Sequence, residues 1–392
     1  MFAVLSPIRK SAARLLALTS VLWLAACQPV AVGGGGGPRI NPTAPVPVAL
    51  LVPHGSSSSG DTFLATALEN AARMGVSDLD GVRIDLRVYP TAGNAAQAQQ
   101  AASKAVAEGA KIILGPVFAE AANAAGVAAA PRGVNVLAFS NNPTIAGGNV
   151  YILGQTFDTT ANRLTAFARR QGKARIVVLH SDNVAGQLGR AAIERAIAAQ
   201  GATLAGTVAY EFSQQGVVNA IPRVKSAATT GQANAVFMTA NTAGALPLFA
   251  QMLPEAGLSP ASTQYIGLTR WDIPPQTLEL PGVQGGWFAL PDPGKTQAFS
   301  SHYQARFGET PPPIAGLAYD GIAAIGALVK AGKADALTGA ALTQGAGFQG
   351  ATGIFRLRPD GTNQRGLAVA QIRDRQVVVV DPAPSSFGGA GF

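Results

Sequence analysis

The sequence predicts an α/β fold of two lobes, each built on a doubly wound parallel sheet. Short apolar runs of strand length alternate with helix-length segments along most of the chain. The alternation restarts after residue 155, and the body from residue 48 to 381, roughly 330 residues, is longer than one core usually serves. Hydrophobic residues make up 48% of the chain and charged residues 13%, which is typical of a well-buried globular protein.

The first lobe is predicted from a repeated order of apolar run, polar turn and helix. In its clearest unit, residues 111–142, Gly115 and Pro116 break an isoleucine-rich run, and Pro116 lacks the N–H that a helix start leaves unbonded. The next apolar run ends in a polar turn at residues 140–142. The expected strands cover 48–52, 82–89, 111–114, 134–139 and 149–153, and the expected helices 61–74 (with Asp61 as N-cap), 94–108 and 118–130.

The second lobe repeats this order, and three antiparallel strands close the chain. Its first helix begins near residue 158, and the late strands are separated by turns at residues 360–361 and 374–375. The other expected strands cover 175–180, 203–210, 233–238, 264–268, 285–290, 353–357, 366–373 and 376–380. The other expected helices cover 184–200, 217–228, 243–253, 296–307 and 318–331.

The N-terminus predicts a lipoprotein signal. Residues 1–27 combine three basic residues, an apolar run too short for a permanent bilayer span, and the quartet Leu24-Ala25-Ala26-Cys27, which matches the bacterial lipobox. The blander alternative is an ordinary cleaved signal peptide with an incidental cysteine. Gln28 replaces the Asp that usually marks retention in the inner membrane. We therefore expect lipid anchoring through Cys27 at the periplasmic face of the outer membrane, a flexible Gly/Pro linker over 28–47, and a flexible tail over 382–392.

Composition and motifs argue against several classes of function. The net charge of +8 includes three cations of the first 27 residues, and no Lys/Arg cluster indicates nucleic-acid binding. The histidines lie far apart, acidic residues show no metal-like clustering, and the cysteine of the lipobox is the single one in the sequence. A G-x-G-x-x-G pattern at residues 345–350 follows a helix-like stretch, the reverse of a dinucleotide site. We expect no enzyme activity, metal or cofactor.

Polar turns after predicted strands form the candidate ligand site. In open α/β sheets, ligands bind beyond the carboxyl ends of the strands. The blander interpretation is turn chemistry, since short turns favour Ser, Asn and Gly. The candidates are Ser56, Ser57, Ser58, Val117, Phe118, Ser140, Asn141 and Asn142 in the first lobe and Asn183, Asn241, Thr269 and Arg270 in the second.

Six fragments of the chain are characteristic in their order and spacing: residues 113–118, 136–141, 285–289, 317–320, 353–356 and 365–369. Together they resemble the type I periplasmic binding-protein fold, and within it the leucine-binding branch. The match is closest to the lipoproteins called penicillin-binding-protein activators, in their alphaproteobacterial form. This resemblance implies two lobes joined by three crossovers, placed near residues 155, 291 and 350, with a cleft between them. Lobe I would then comprise 48–155 and 291–349, and lobe II 156–290 and 350–381.

One departure from the leucine-binding pattern concerns the turn after the strand at 264–268. The resemblance implies a carboxylate there that holds the ammonium of an amino acid, but this chain has Arg270, which repels an ammonium. Asp272 is the nearby acid that would substitute, and Arg270 would suit an anionic ligand. Arg270 paired with Asp272 at the surface is the equally plain alternative. Trp271 is a candidate anchor for a protein partner, with cleft lining or core as alternatives.

Two functions follow as expectations. The resemblance implies a non-enzymatic regulator that docks on a bifunctional penicillin-binding protein and activates peptidoglycan synthesis. The alternative is a solute receptor for an ABC transporter of amino acids or related small molecules. An outer-membrane anchor favours the regulator, because a receptor that serves an inner-membrane permease gains nothing from a tether on the opposite membrane. Both functions allow a small polar ligand in the cleft.

Overall fold

The computed structural model describes residues 37–388. The predicted signal peptide, Cys27, Gln28 and the last residues of the predicted tail lie outside this range. No helix in the described range is both long and apolar enough to cross a membrane.

The first sheet has five parallel strands in the order β2-β1-β3-β4-β5. Four of its strands, β1, β3, β4 and β5, are nearly continuous apolar runs, as is typical of strands covered by helices on both faces, whereas the edge strand β2 alternates apolar and charged residues. Its carboxyl edge therefore carries the turns after β1, β3 and β4 on one side of the lobe. The elements are β1 (Val46–Val52), α1 (Ser59–Ser77), β2 (Ile84–Pro90), α2 (Ala95–Ala107), β3 (Ile112–Leu114), α3 (Ala119–Ala129), β4 (Asn135–Ala138) and β5 (Val150–Ile152).

The second sheet has seven strands, which include the late strands β14 (Leu367–Arg373) and β15 (Gln376–Asp381), in the order β15-β14-β10-β9-β8-β6-β7. Its strands from β6 to β10 run parallel, whereas β14 pairs antiparallel with both β10 and β15. The elements are α4 (Phe157–Arg170), β6 (Arg175–Ser181), α5 (Val184–Ala199), β7 (Thr203–Tyr210), α6 (Gln214–Thr230), β8 (Ala235–Met238), α7 (Leu246–Glu255), β9 (Gln264–Gly267) and β10 (Trp287–Pro291).

The late chain returns to the first lobe before it ends in the second sheet. Phe299 and Tyr303 of the next helix are buried in the first core, together with Phe355 and Leu357. The elements are α8 (Pro293–Phe307), α9 (Ala315–Lys330), α10 (Gly339–Leu342), β11 (Phe348–Gly350), β12 (Gly353–Leu357), β13 (Asn363–Arg365), β14 (Leu367–Arg373) and β15 (Gln376–Asp381). The predicted α/β fold with two parallel-rich sheets is confirmed.

The predicted third crossover near Gly350 is corrected by this arrangement. β11, β12 and β13 form a small antiparallel sheet of their own. Two of their side chains, Phe355 and Leu357, belong to the first core, and the chain joins the second sheet at Leu367. The crossover therefore lies near Gly366. Periodicity cannot separate these positions, because a β12 side chain buried in either lobe gives the same apolar pattern.

Two predicted boundaries also change. The linker predicted to end at residue 47 includes Ile40, which is buried in the first core and whose N–H bonds to the Ala334 carbonyl. The predicted tail contains Phe387, whose ring lies 4.5 Å from the guanidinium carbon of Arg356. The linker also contains Val46, the buried first residue of β1, and the tail contains Ala383, which packs against the second core. A Pro/Gly-rich composition gives no signal of these contacts.

Candidate functional site

A cavity of about 530 Å³ lies between the lobes where the carboxyl ends of their strands meet. The first lobe contributes the turns after β3 and β4, and the second lobe contributes the turn after β9. The lining includes six of the residues predicted from sequence: Val117, Phe118, Ser140, Asn141, Asn142 and Arg270. Sheet topology brings these residues together, since they are up to 153 positions apart in sequence.

The first-lobe wall supplies hydrogen-bond donors. Helix α3 begins at Ala119, beside the cavity, and its N-cap residue Phe118 gives no side-chain cap bond within the described range. The first backbone N–H groups of a helix have no intrahelical acceptor, and the helix dipole favours negative charge at that end. Ser140 is only 6% exposed, and its hydroxyl accepts a 3.1 Å bond from the Asn142 N–H. The proton of that hydroxyl is not used in this bond and can be donated to an acceptor in the cavity.

The second-lobe wall carries a cation held by its neighbour. Arg270 donates from Nε to Oδ1 of Asp272 at 2.9 Å and from Nη2 to Oδ2 at 2.5 Å. The Arg270 side chain is 32% exposed and the Asp272 side chain 12%. Nη1 of Arg270 makes no hydrogen bond to the residues that the structure describes. The alternative interpretation of these residues as an ion pair is therefore correct, although Arg270 also lines the cavity.

The base of the cavity rests on a buried ion pair. Arg365 lines the cavity and donates from Nη2 to Oδ2 of Asp320 at 2.8 Å, and the two side chains are 5% and 0% exposed. Its Nε bonds to the Leu153 carbonyl and its Nη1 to the Thr352 hydroxyl, both at 2.8 Å. Asp320 also accepts from the Ala351 N–H at 2.6 Å. The pair thus ties α9 to two of the segments that connect the lobes.

Sequence reasoning did not assign a role to this ion pair. Asp320 and Arg365 both lie in fragments that carry the resemblance, but nothing in their spacing shows that they meet. A lone Asp in the apolar first half of α9 is the one signal that was available, because a buried carboxylate requires a partner.

The other candidate residues lie outside the cavity lining, and several of them stabilise their own turns. Ser58 caps α1 and Asn183 caps α5, while the Ser56 hydroxyl bonds to Asp61 at 2.7 Å. The predicted cap Asp61 is replaced by Ser58. Ser57 is exposed, and the Asn241 carbonyl accepts bonds from Gly244 and Leu246 in its turn. The Thr269 hydroxyl is buried without a hydrogen-bond partner in the described part of the chain. These residues, namely Ser56, Ser57, Ser58, Asn183, Asn241 and Thr269, are not among those that line the cavity.

Trp271 is not an exposed anchor, and that prediction was wrong. Its side chain is fully buried in the second core, so the alternative of a core residue is correct. The indole ring lies against Gly267 and Gly286, where an added Cβ would approach it to 2.4 Å. The position of Trp271 in a polar turn suggested an exposed side chain. Gly267 and Gly286 have no side chains, however, and leave space in the core that the indole ring fills.

Comparison with known proteins identifies the family. The family model described as "Periplasmic binding protein" matches residues 45–376. No curated protein sequence matches the chain significantly.

Solved structures similar to this chain share its fold at low identity. A branched chain amino acid ABC transporter periplasmic ligand-binding protein from Burkholderia xenovorans is 18% identical, with a TM-score of 0.67 over 88% of this chain and 97% of that one. An ABC transporter substrate-binding protein from Desulfitobacterium hafniense, in complex with Leu, is 18% identical, with a TM-score of 0.61 over 86% and 100%. A Rhodopseudomonas palustris solute binding protein, in complex with 3,4-dihydroxy benzoic acid, is 18% identical, with a TM-score of 0.58 over 87% and 97%. The chain belongs to the periplasmic binding protein family, whose members work in the periplasm.

Proposed function

We propose that this chain is a non-enzymatic periplasmic receptor that binds a small organic solute between its two lobes. The observation that supports this proposal most directly is the cavity of about 530 Å³, which is lined from both lobes at the carboxyl ends of their strands. Its size suits a small molecule, and apolar walls with few polar groups are typical of such sites. Delivery of the solute to an ABC transporter is the role that the similar solved structures support.

A thermal-shift panel tests the proposed receptor function. A ligand that binds the native state stabilises it by mass action. We expect a saturable rise in the melting temperature with at least one class among carboxylates, amino acids, sugars and short peptides. The rise should be absent in the double variant Ser140→Ala/Arg270→Gln, which changes both walls, and retained in Arg375→Gln, an exposed arginine in the turn between β14 and β15. No rise with any class, or an equal rise in the double variant, contradicts the proposal.

A second candidate is regulation of a peptidoglycan synthase, and the N-terminal sequence favours it. Cys27 followed by Gln28 predicts anchoring to the outer membrane, where a receptor would not meet an inner-membrane permease. In this function the folded body binds the periplasmic part of a bifunctional penicillin-binding protein. Because Trp271 is buried, the docking surface must lie elsewhere.

A pull-down of each bifunctional synthase of the same cell, combined with a transpeptidase assay, tests the regulator. Capture with a change in rate supports it, and neither effect with any synthase contradicts it. Membrane fractionation of Cys27→Ala tests the anchor separately. The variant should leave the outer-membrane fraction, whereas retention after a high-salt wash would contradict lipid anchoring through Cys27.

A further inference from the structure

We infer that the cleft selects a carboxylate with an apolar body and no amino group, so that it discriminates against amino acids. This inference rests on the proposed receptor function and names its ligand class. It depends on the charges that line the cavity. Among residues 37–388, the cavity is lined by two arginines, Arg270 and Arg365, and by no aspartate or glutamate.

An ammonium group would lack a counter-charge in this cavity. Asp272, the nearest acidic residue to Arg270 in the turn after β9, gives both of its oxygens to that guanidinium. Asp320 lies beneath the lining and is saturated by Arg365, Thr352 and the Ala351 N–H. Burying an ammonium without an opposite charge is costly, because the low-dielectric site does not replace the water that it loses.

A carboxylate, in contrast, finds donors on both walls. The start of α3 and Ser140 line the cavity from the first lobe. Arg270 lines it from the second, and its Nη1 makes no hydrogen bond to the residues that the structure describes. Hydrogen bonds from such donors to a charged acceptor are stronger than those between neutral groups. Each nitrogen of Arg365 already donates one hydrogen bond, to Asp320, Thr352 or the Leu153 carbonyl. Its side chain is 5% exposed, against 32% for Arg270, so Arg365 is the less accessible of the two to an anion.

The walls away from these donors are mainly apolar. Six apolar side chains line them, and the polar side chains of Asn141, Asn142, Gln155 and Thr352 lie among these; the apolar ones are Phe139, Pro291, Pro313, Ile314, Leu317 and Leu367. The six apolar side chains favour a hydrocarbon chain or an aromatic ring, because binding removes the apolar surface of both from water. The ligand class is therefore a monocarboxylate with a branched or aromatic body.

Calorimetric titration of matched pairs tests the inference with the full-length chain. Leucine is compared with 4-methylpentanoate, and phenylalanine with 3-phenylpropanoate, because each pair differs only in the amino group. We expect at least one of the acids without an amino group to bind, and its amino acid to bind at least about tenfold more weakly. Leucinamide, which keeps the ammonium and lacks the carboxylate, should show no binding.

Variants of the second-lobe wall locate the selectivity. Arg270→Gln should weaken binding of the acid at least about tenfold, and Arg270→Lys should give an intermediate loss, since it keeps the charge but not the planar fork. Arg375→Gln is the matched control and should bind as the unchanged chain does. Equal or tighter binding of the amino acid overturns the inference while the receptor function stands. If neither member of either pair binds, the inference fails. If the broader thermal-shift panel is also negative, the receptor function fails with it.

Discussion

Asp320 is a fully buried carboxylate whose charge is balanced by Arg365 at 2.8 Å. Replacement by asparagine would keep the shape but leave the guanidinium without its counter-charge. We expect Asp320→Asn to lower the free energy of unfolding by about 3–5 kcal/mol. Urea denaturation measures this loss. Asp80→Asn is the control. The Asp80 side chain is 97% exposed in its pair with Lys330, so this variant should give no measurable change. An Asp320→Asn protein as stable as the unchanged chain would show that this ion pair does not support the base of the cleft.

The contact between the Trp271 ring and Gly267 is tested by a single substitution. An added Cβ at Gly267 would lie 2.4 Å from the indole ring, so either the ring or the backbone must move. We expect Gly267→Ala to destabilise the protein by about 1–3 kcal/mol, as measured by urea denaturation. Gly345→Ala is the matched control, because nothing lies within 4 Å of its added Cβ. Equal stability of the two variants would contradict the close packing of Trp271.

Part of the site could be predicted from residue types in turns, but the exposure of Trp271 could not, because packing against distant residues determines it. Turns after β3 and β4 were found because polar residues end apolar runs there, and their position at a strand end does not depend on distant contacts. The buried state of Trp271 depends on two glycines that are 19 positions apart, Gly267 and Gly286. The roles of Asn183 and Ser58 were ambiguous, because helix caps and ligand contacts use the same residue types.

Among the elements, α1 is joined to the turn after β1 by a charged cluster. Glu69 accepts a 2.8 Å bond from Arg73 within the helix and contacts His54 at 3.0 Å. Burial alone would raise the pKa of the Glu69 carboxyl, but the bonds from Arg73 and His54 outweigh it and hold this pKa below its usual 4.5. A carboxyl with a lowered pKa stabilises the fold above the pKa of the unfolded state, and this contribution is lost as the pH falls through the folded value.

The variant Glu69→Gln removes that titration. We expect it to lower the free energy of unfolding near neutral pH, and we expect the gap from the unchanged chain to shrink below about pH 4.5. Urea unfolding between about pH 6 and about pH 3 measures the gap. A gap that stays constant over this range, or grows on acidification, would contradict the lowered pKa.

Strand and helix periodicity predicted most elements, and the exceptions are short or polar. β7 and β12 were predicted with their observed bounds, and most others differ by one to three residues at an end, as frayed ends lead one to expect. β3 and β5 are equally short but were predicted because they are apolar runs. β11 (FQG) and β13 (NQR) were missed because neither is an apolar run, so both read as loops. β13 nevertheless matters for the site, since Arg365 is its last residue.

The arrangement of the two lobes was predicted from the family resemblance more than from the residues. The renewed alternation of strand-length and helix-length segments after residue 155 indicated two lobes. The third crossover between them, however, was placed 16 positions too early, near Gly350 rather than Gly366. The Asn363 side chain bonds to the carbonyls of Ile152 and Gly154 at this connection. Such contacts join segments more than 200 positions apart, which no local pattern reports.

A ligand held by both lobes accepts hydrogen bonds from each of them. Affinities measured for single variants of each lobe and for the combined variant show how much each lobe contributes to binding. The acid that binds in the calorimetric titration is titrated into the unchanged chain, Ser140→Ala of the first lobe, Arg270→Gln of the second lobe, and the combined variant. We predict that Arg270→Gln lowers the affinity at least about tenfold and Ser140→Ala several-fold, with circular dichroism showing that each variant is folded. Unchanged affinity in both single variants would place the ligand outside the cleft and contradict a receptor that closes its lobes on a carboxylate.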